Sequence, residues 1–284
     1  MKRLILVGFS LVLSLVASIP NLQASASSGP LDTAFCTVID SLPVTISTPG
    51  NYCLKRNLVC TESDAAVIIA ASNVTLDLNG YEIAGTAPGS FSWPGVWLAS
   101  GSNVTLQNGT VRGFQSGVLV DRPVRSSVIQ SMVLKDCSHL GMQIMGSGQL
   151  IRGNRILNIN PGLGSAPNYA EAYGVIDTGG SSRIIDNDVM DVSCPSGPTS
   201  AAIGISAPGG FSIVENNRIS NSATPLDIGL SCQGPNSVAV NNRVLNANRG
   251  YVASPHSGSM VCRDNLAVKC TTPYTNIVDA GNNH

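Results

Sequence analysis

The chain has 284 residues, a formal net charge of −1, and 29 Gly and 16 Pro. Only 12% of its residues are charged and 5% aromatic, whereas an average soluble domain carries roughly 25% charged residues. A balance this close to neutral gives no electrostatic footprint for nucleic acid or an acidic membrane surface, so neither is expected as a partner.

The N-terminus reads Lys2, Arg3, an apolar run over residues 4–19, then Ala24-Ser25-Ala26. That order of basic, apolar and small-residue segments predicts a signal peptide over residues 1–26, cut before Ser27. Its loss would take Lys2 and Arg3 with it and leave a net charge of about −3. The remaining residues 27–284 are expected to form one domain, secreted or periplasmic and monomeric. No later run approaches the roughly 18–20 apolar residues of a membrane helix, so the +0.19 mean hydropathy does not predict membrane insertion. Eight cysteines follow, at 36, 53, 60, 137, 194, 232, 262 and 270. An even count in an exported chain favours disulfides, although eight cysteines allow 105 pairings. No C-x-x-C occurs, which argues against zinc.

From residue 73 onward the chain repeats itself. NVTLDLNGYEI, NVTLQNGTV and SVIQSMV are followed by LIRGNRI, RIIDNDV, IVENNRI, VAVNNRV and VCRDNLA. Alignment on one position places Asn79, Asn108, Ser131, Asn154, Asn187, Asn217, Asn242 and Asn265 together, at intervals of 23 to 33 residues. A second motif keeps step: Gly95-VWL, Gly117-VLV, Gly141-MQI, Gly174-VID, Ala202-IGI, Asp227-IGL and Gly250-YVA. Each repeat thus holds three short runs rich in Val and Ile, with no long 3.6-residue period after the N-terminus. Three strands per turn of 23 or more residues predict an all-β fold, a parallel β-helix of about eight three-strand coils sharing one core. The stretch 271–284 is expected to break the repeat and cap the last coil, since an open end exposes strand edges.

Over roughly residues 40–270 this pattern resembles the right-handed parallel β-helix proteins of the pectate-lyase-like superfamily, and TPGNYCLKRNL followed by VTLDLNGYEI is similar to the first coils of exported bacterial members. The resemblance implies that the Asn series is structural. Asn tolerates a left-handed turn, and its amide can bond the Asn of the coil above or below. It also implies that an acidic-polysaccharide enzyme would hold substrate along the first-strand sheet, using carboxylates for calcium or an equivalent cation and a base near the sugar C5 proton. The second residue after each Gly-type anchor should face outward there, giving Trp97, Leu119, Gln143, Ile176, Gly204, Gly229 and Val252. That row has neither paired acids nor a base; Asp121, Arg122, Arg125 and Asp177 fall at its edges. DRPVR has the wrong spacing for the Arg/Pro segment of pectate lyases, and neither polygalacturonase nor alginate-epimerase elements occur.

Two polar groupings remain. Lys135-Asp136-Cys137-Ser138-His139 precedes a first strand, beside the long, Gly/Pro-rich connection that carries Tyr169, Glu171 and Tyr173. Coils stack about 4.8 Å apart, so Lys135, His139 and Glu171 could converge as acid/base groups, with Tyr169, Tyr173, Gln143 and Trp97 contacting substrate. The alternative is a solvated turn held by a disulfide at Cys137. The second grouping is Arg155, Asp188, Arg218 and Arg243, each directly after a repeat Asn and so stacked outward. It can be a ladder of weak ion pairs, or Arg218 and Arg243 can hold an anionic glycan. Asp186, Asp188 and Asp191 make calcium conceivable without indicating it, and no metal site or other cofactor is assigned. The sequons at Asn73, Asn103 and Asn108 are accounted for by the NVTL repeat.

Two functions follow: an exported enzyme acting on polysaccharide, of the lyase type, or a non-catalytic β-helix that binds glycan or serves at the cell envelope. An ice-binding solenoid would need a regular Thr row, and only Thr75 and Thr105 offer one.

Overall fold

The computed structural model describes residues 35–86, 93–161, 171–194, 200–254 and 260–284. The predicted signal peptide lies outside them. Every regular element among the described residues is a strand, and the strands pair in parallel from coil to coil. None of these residues forms a helix long and apolar enough to cross a membrane.

Three sheets run along the solenoid. The first contains Pro94–Leu98, Ser116–Val120, Leu140–Ile144, Glu171–Asp177, Ala201–Ser206 and Leu226–Cys232, paired in that order. The second stacks Leu150–Arg152, Arg183–Ile185, Ile213–Glu215, Val238–Val240 and Val261–Arg263. The third stacks Arg155–Ile159, Asp188–Val192 and Arg218–Ser220. Where a connection is short, two of these strands fuse, as in Thr105–Arg112, Val128–Lys135 and Arg243–Ala253. Alternation points one side of each strand into the coil. Val96, Val118, Met142, Val175, Ile205, Leu230 and Tyr251 therefore form one continuous inward row, all fully buried.

The corners are built from a left-handed residue followed by a buried polar one. Asn154, Asn187, Asn217, Asn242 and Asn265 are buried, and each Nδ2 donates to the Oδ1 of the Asn in the next coil at 2.9–3.1 Å. The left-handed conformation belongs one residue earlier, to Gly153, Asp186, Asn216, Asn241 and Asp264. Asn79, Asn108 and Ser131 share that conformation, and Val133 opposite Arg155 sets Ser131 level with Gly153. The alignment that grouped these three with the buried Asn series is therefore shifted by one residue. A second inward series, absent from the sequence reading, stands at the preceding corner: Ser127, Gln149, Ser182, Ser212 and Ser237, each 1% exposed or less. Ser127 N–H donates to Gln149 Oε1 at 2.8 Å, and Ser212 N–H to Ser237 Oγ at 3.3 Å.

The Gly column also needs correction. A Cβ on Gly174 would come within 2.4 Å of Val189 Cγ1, and one on Gly204 within 2.3 Å of Ile219 Cγ2, because the first strand begins against inward side chains of the third. Gly204 and Gly229 thus occupy this column, and Ala202 and Asp227 lie two residues before it. The outward row becomes Trp97, Leu119, Gln143, Ile176, Ser206, Ser231 and Val252.

The chain past residue 271 continues the repeat instead of capping it. Val278–Asp279 pairs with Val261–Arg263, and Asn283 accepts from Asn265 N–H and Nδ2, both at 3.1 Å. Cysteine usage differs too. Cys36–Cys53 is a disulfide, while Cys60, Cys137, Cys232 and Cys262 are buried free thiols in inward positions, where they pack as small apolar groups. The turn at Cys137 is accordingly not held by a disulfide.

Candidate functional site

The outer face of the first sheet has an open and a covered part. Trp97, Leu119, Gln143 and Ile176 are half-buried, whereas Ser206, Ser231 and Val252 are buried. Ile203, Ile228 and Val252 form a small apolar cluster outside the coil, with Tyr173 and Ala201 packed on it. On the open part, Trp97 lies 6.4 Å from Trp93, ring centre to ring centre, with their planes tilted by 32°. Trp93 is 41% exposed. It was not singled out from the sequence, although WPGVW carried the signal. Trp97 Nε1 is buried without a hydrogen-bond partner, as are Ser231 Oγ and Thr275 Oγ1.

At the starts of these strands the connection from the third sheet delivers His139, Glu171 and Tyr173. Leu140 pairs with Tyr173, and Tyr173 N–H donates to His139 O at 3.2 Å, which sets the two strands side by side. Tyr173 O–H donates to Glu171 Oε2 at 2.8 Å. Burial raises the Tyr173 phenol above its ordinary range and the bond to Glu171 adds to the effect, so the hydroxyl keeps its proton. Burial also lowers His139, against the opposing pull of the Glu171 charge. The corner therefore presents an imidazole that favours its neutral form and a phenol fixed by a carboxylate. Further along the same edge, Asp227 accepts from Ala202 N–H at 2.7 Å. Cys194 has its thiol raised by burial first, with Asp227 and Glu171 contributing.

Lys135 stands elsewhere. It closes a strand on the third-sheet face, in register with Arg112 and Leu157. Its Nζ lies 3.7 Å from Glu82 Oε2, and Arg112 Nε binds the other oxygen of Glu82 at 2.8 Å. Its acidic partner among the described residues is thus Glu82 and not Glu171. Tyr169 falls outside the described residues. Asp177, expected at the sheet edge, is fully buried in the inward row opposite Ile144. A hollow of about 300 Å³ opens at the ends of the third-sheet strands, lined by Asn158, Asp191, Ser193, Ser222 and Thr224 and by none of His139, Glu171 and Tyr173.

Arg155, Asp188, Arg218 and Arg243 stack in register as expected. The acids considered for calcium are engaged separately. Asp186 accepts from Asn216 Nδ2 at 2.6 Å, Asp188 faces Arg218, and Asp191 accepts from Ser222 N–H at 2.8 Å. No group of three His, Cys, Asp or Glu side chains among the described residues gathers at metal-binding geometry. These residues do not fit a calcium site.

Residues 94–284 match the right-handed β-helix region family, and the chain belongs to it. Its fold is accordingly a right-handed parallel β-helix. Among solved structures it is similar to an alginate lyase from Paenibacillus sp. str. FPU-7, with TM-score 0.57 and 17% identity over 84% of this chain and 91% of that one. PfbA, a surface adhesin of Streptococcus pneumoniae, gives TM-score 0.60 and 15% identity over 79% of this chain and 61% of the adhesin. Pectate lyase Pel9A gives TM-score 0.53 and 13% identity over 83% and 71%. At these identities the likeness is one of fold. No curated protein matches the sequence.

Proposed function

We propose that this is an exported protein that binds polysaccharide along the open part of its first-strand face and acts on it at the His139, Glu171 and Tyr173 corner. The observation that carries the reading is the Tyr173–Glu171 hydrogen bond, with His139 on the adjacent strand within reach of the Glu171 charge, beside a half-open row containing Trp97 and Gln143. Exposed Trp93 and half-buried Trp97 offer apolar ring surface, and Gln143, two strands along, offers both a donor and an acceptor. By name, two of the similar folds act on alginate and pectate; for this chain that is an analogy of fold and nothing more.

In a β-elimination, neutral His139 would take the sugar C5 proton. The electron pair would form the C4–C5 double bond, the C4–O bond would break, and the Tyr173 hydroxyl would protonate the departing oxygen. Glu171 would orient that hydroxyl.

The test is to incubate the protein with uronic-acid polysaccharides, following the ultraviolet absorbance of unsaturated products and, in parallel, polymer binding. Product that falls by 100-fold or more in His139→Ala and Tyr173→Phe, with Lys135→Ala close to wild type, is the expected result. Equal dependence on Lys135 would return that residue to the site. Binding without product supports the second reading, a glycan-binding surface protein, which is favoured by the absence of Lys135 from the corner. Neither product nor binding overturns both.

A further inference from the structure

We propose that Arg218 and Arg243 form an anion subsite on the third-strand face, and that its occupant is a carboxylate of a linear acidic polysaccharide. The choice of polymer rests on the reading above; the anion subsite does not. Arg218 and Arg243 are direct register partners on parallel strands, about 4.8 Å apart, and both are exposed. Their inward neighbours Ile219 and Val244 are fully buried, so the core fixes both strands and the two guanidinium groups rise from adjacent points of a rigid sheet. Like charges directly opposite one another destabilise a sheet, and nearby acids do little to relieve this pair. Asp188 lies 4.0 Å from Arg218 Nε at the limit of an ion pair, Asp186 is bound by Asn216, and Asp264 is taken by Arg263 at 3.0 Å. Glu215, on the neighbouring second-sheet strand, pairs with neither, and among the described residues Arg243 has no acidic partner.

An oxyanion between the two would convert a repulsive pair into two charge-assisted contacts; the planar guanidinium fork matches carboxylate and phosphate alike, and the polysaccharide reading selects the carboxylate. Arg155, two strands further along the same row, would meet a later acidic group of the same polymer on the far side of Asp188.

The test compares wild type with Arg218→Gln/Arg243→Gln for binding to polygalacturonate, to neutral dextran and to polyphosphate, at low and raised salt. Inorganic sulfate is titrated against the arginine Nε–H resonances. Expected are salt-sensitive polygalacturonate binding, at least 10-fold weaker in the double variant, shifts of Arg218 and Arg243 with sulfate, and a Tm at or slightly above wild type. Binding that is unchanged in the double variant overturns the subsite, and if His139→Ala weakens it the polysaccharide reading still stands. Sulfate shifts without polygalacturonate binding, or a preference for polyphosphate, overturn the assignment of the occupant.

Discussion

Asp177 sits where neighbouring coils place Ile144 above and Ala207 below, so its inward side chain should have been apolar. Its carboxylate accepts from Gly180 N–H at 3.1 Å and from Ser212 Oγ–H at 2.9 Å. These bonds favour the charged form, yet burial outweighs them and the carboxyl is held above its ordinary range. A folded-state pKa above the unfolded value means that the native state binds more protons between the two. Stability is therefore greatest below the unfolded value, near 4, and is lost as pH rises through the folded one. Asp177→Asn removes the charge, keeps an acceptor for Gly180 N–H, and presents its Nδ2 donor to Ser212 Oγ, which can accept it while donating to Gly210 O. Chemical denaturation across pH 3–8 should show wild type losing stability relative to Asp177→Asn as pH rises; parallel profiles would mean that Asp177 does not titrate in this range. Nothing local in the YGVID run distinguished this buried Asp from an exposed one. Its partner Ser212 lies a whole coil away, 35 residues along the chain.

At the scale of the strand and its corners, the polar series matter more than the charged ones. Asn217 Oδ1 accepts from Asn187 N–H at 3.0 Å and from Asn187 Nδ2 at 2.9 Å, while Asn217 Nδ2 donates to Ile184 O at 2.8 Å. Asn217→Ala strands the Asn187 donors and the Ile184 carbonyl in a buried corner. At about 1–3 kcal/mol for each of these three unsatisfied groups, the loss should be about 3 kcal/mol or more, read as a lower denaturant midpoint with an unchanged m-value. Asn216→Gly, one residue earlier and exposed, keeps its left-handed backbone and should cost less than about 1 kcal/mol. A similar cost for both would refute the ladder's role. The repeat length, the three-strand coil and the buried Asn column were legible because each recurs as a pattern in one chain segment. The Gly column slipped by two residues at Ala202 and Asp227, since a period-2 strand looks the same after a shift of two. What fixes the register is the contact between Gly204 and Ile219, and that lies between strands. The site was half legible for the same reason. Stacking sets the strand after His139 beside the strand of Glu171 and Tyr173, whereas Lys135, before the corner that turns the chain from the third sheet to the first, pairs with Glu82.

For the molecule as a whole, the low charge follows from the architecture. Each coil turns three edges with Gly, Asn and Ser and fills its interior with one continuous apolar column, leaving few positions for charged helix-type faces. Such a solenoid is quasi-one-dimensional: each coil is supported only by its neighbours, so opening can spread along the axis without being all-or-none. The buried thiols mark this axis. Cys137 lies amid the described coils and Cys262 on a coil close to residue 284, and burial pushes both up to about 12. A thiol with so high a value is almost wholly protonated at neutral pH and reacts only when its coil opens. In native buffer, a thiol reagent should therefore label half-buried Cys270 and spare Cys137 and Cys262. As denaturant rises, Cys262, with fewer coils on its C-terminal side, should become reactive before Cys137. Simultaneous labelling of the two, coincident with loss of the β circular-dichroism signal, would instead show that the continuous core couples every coil into one cooperative unit.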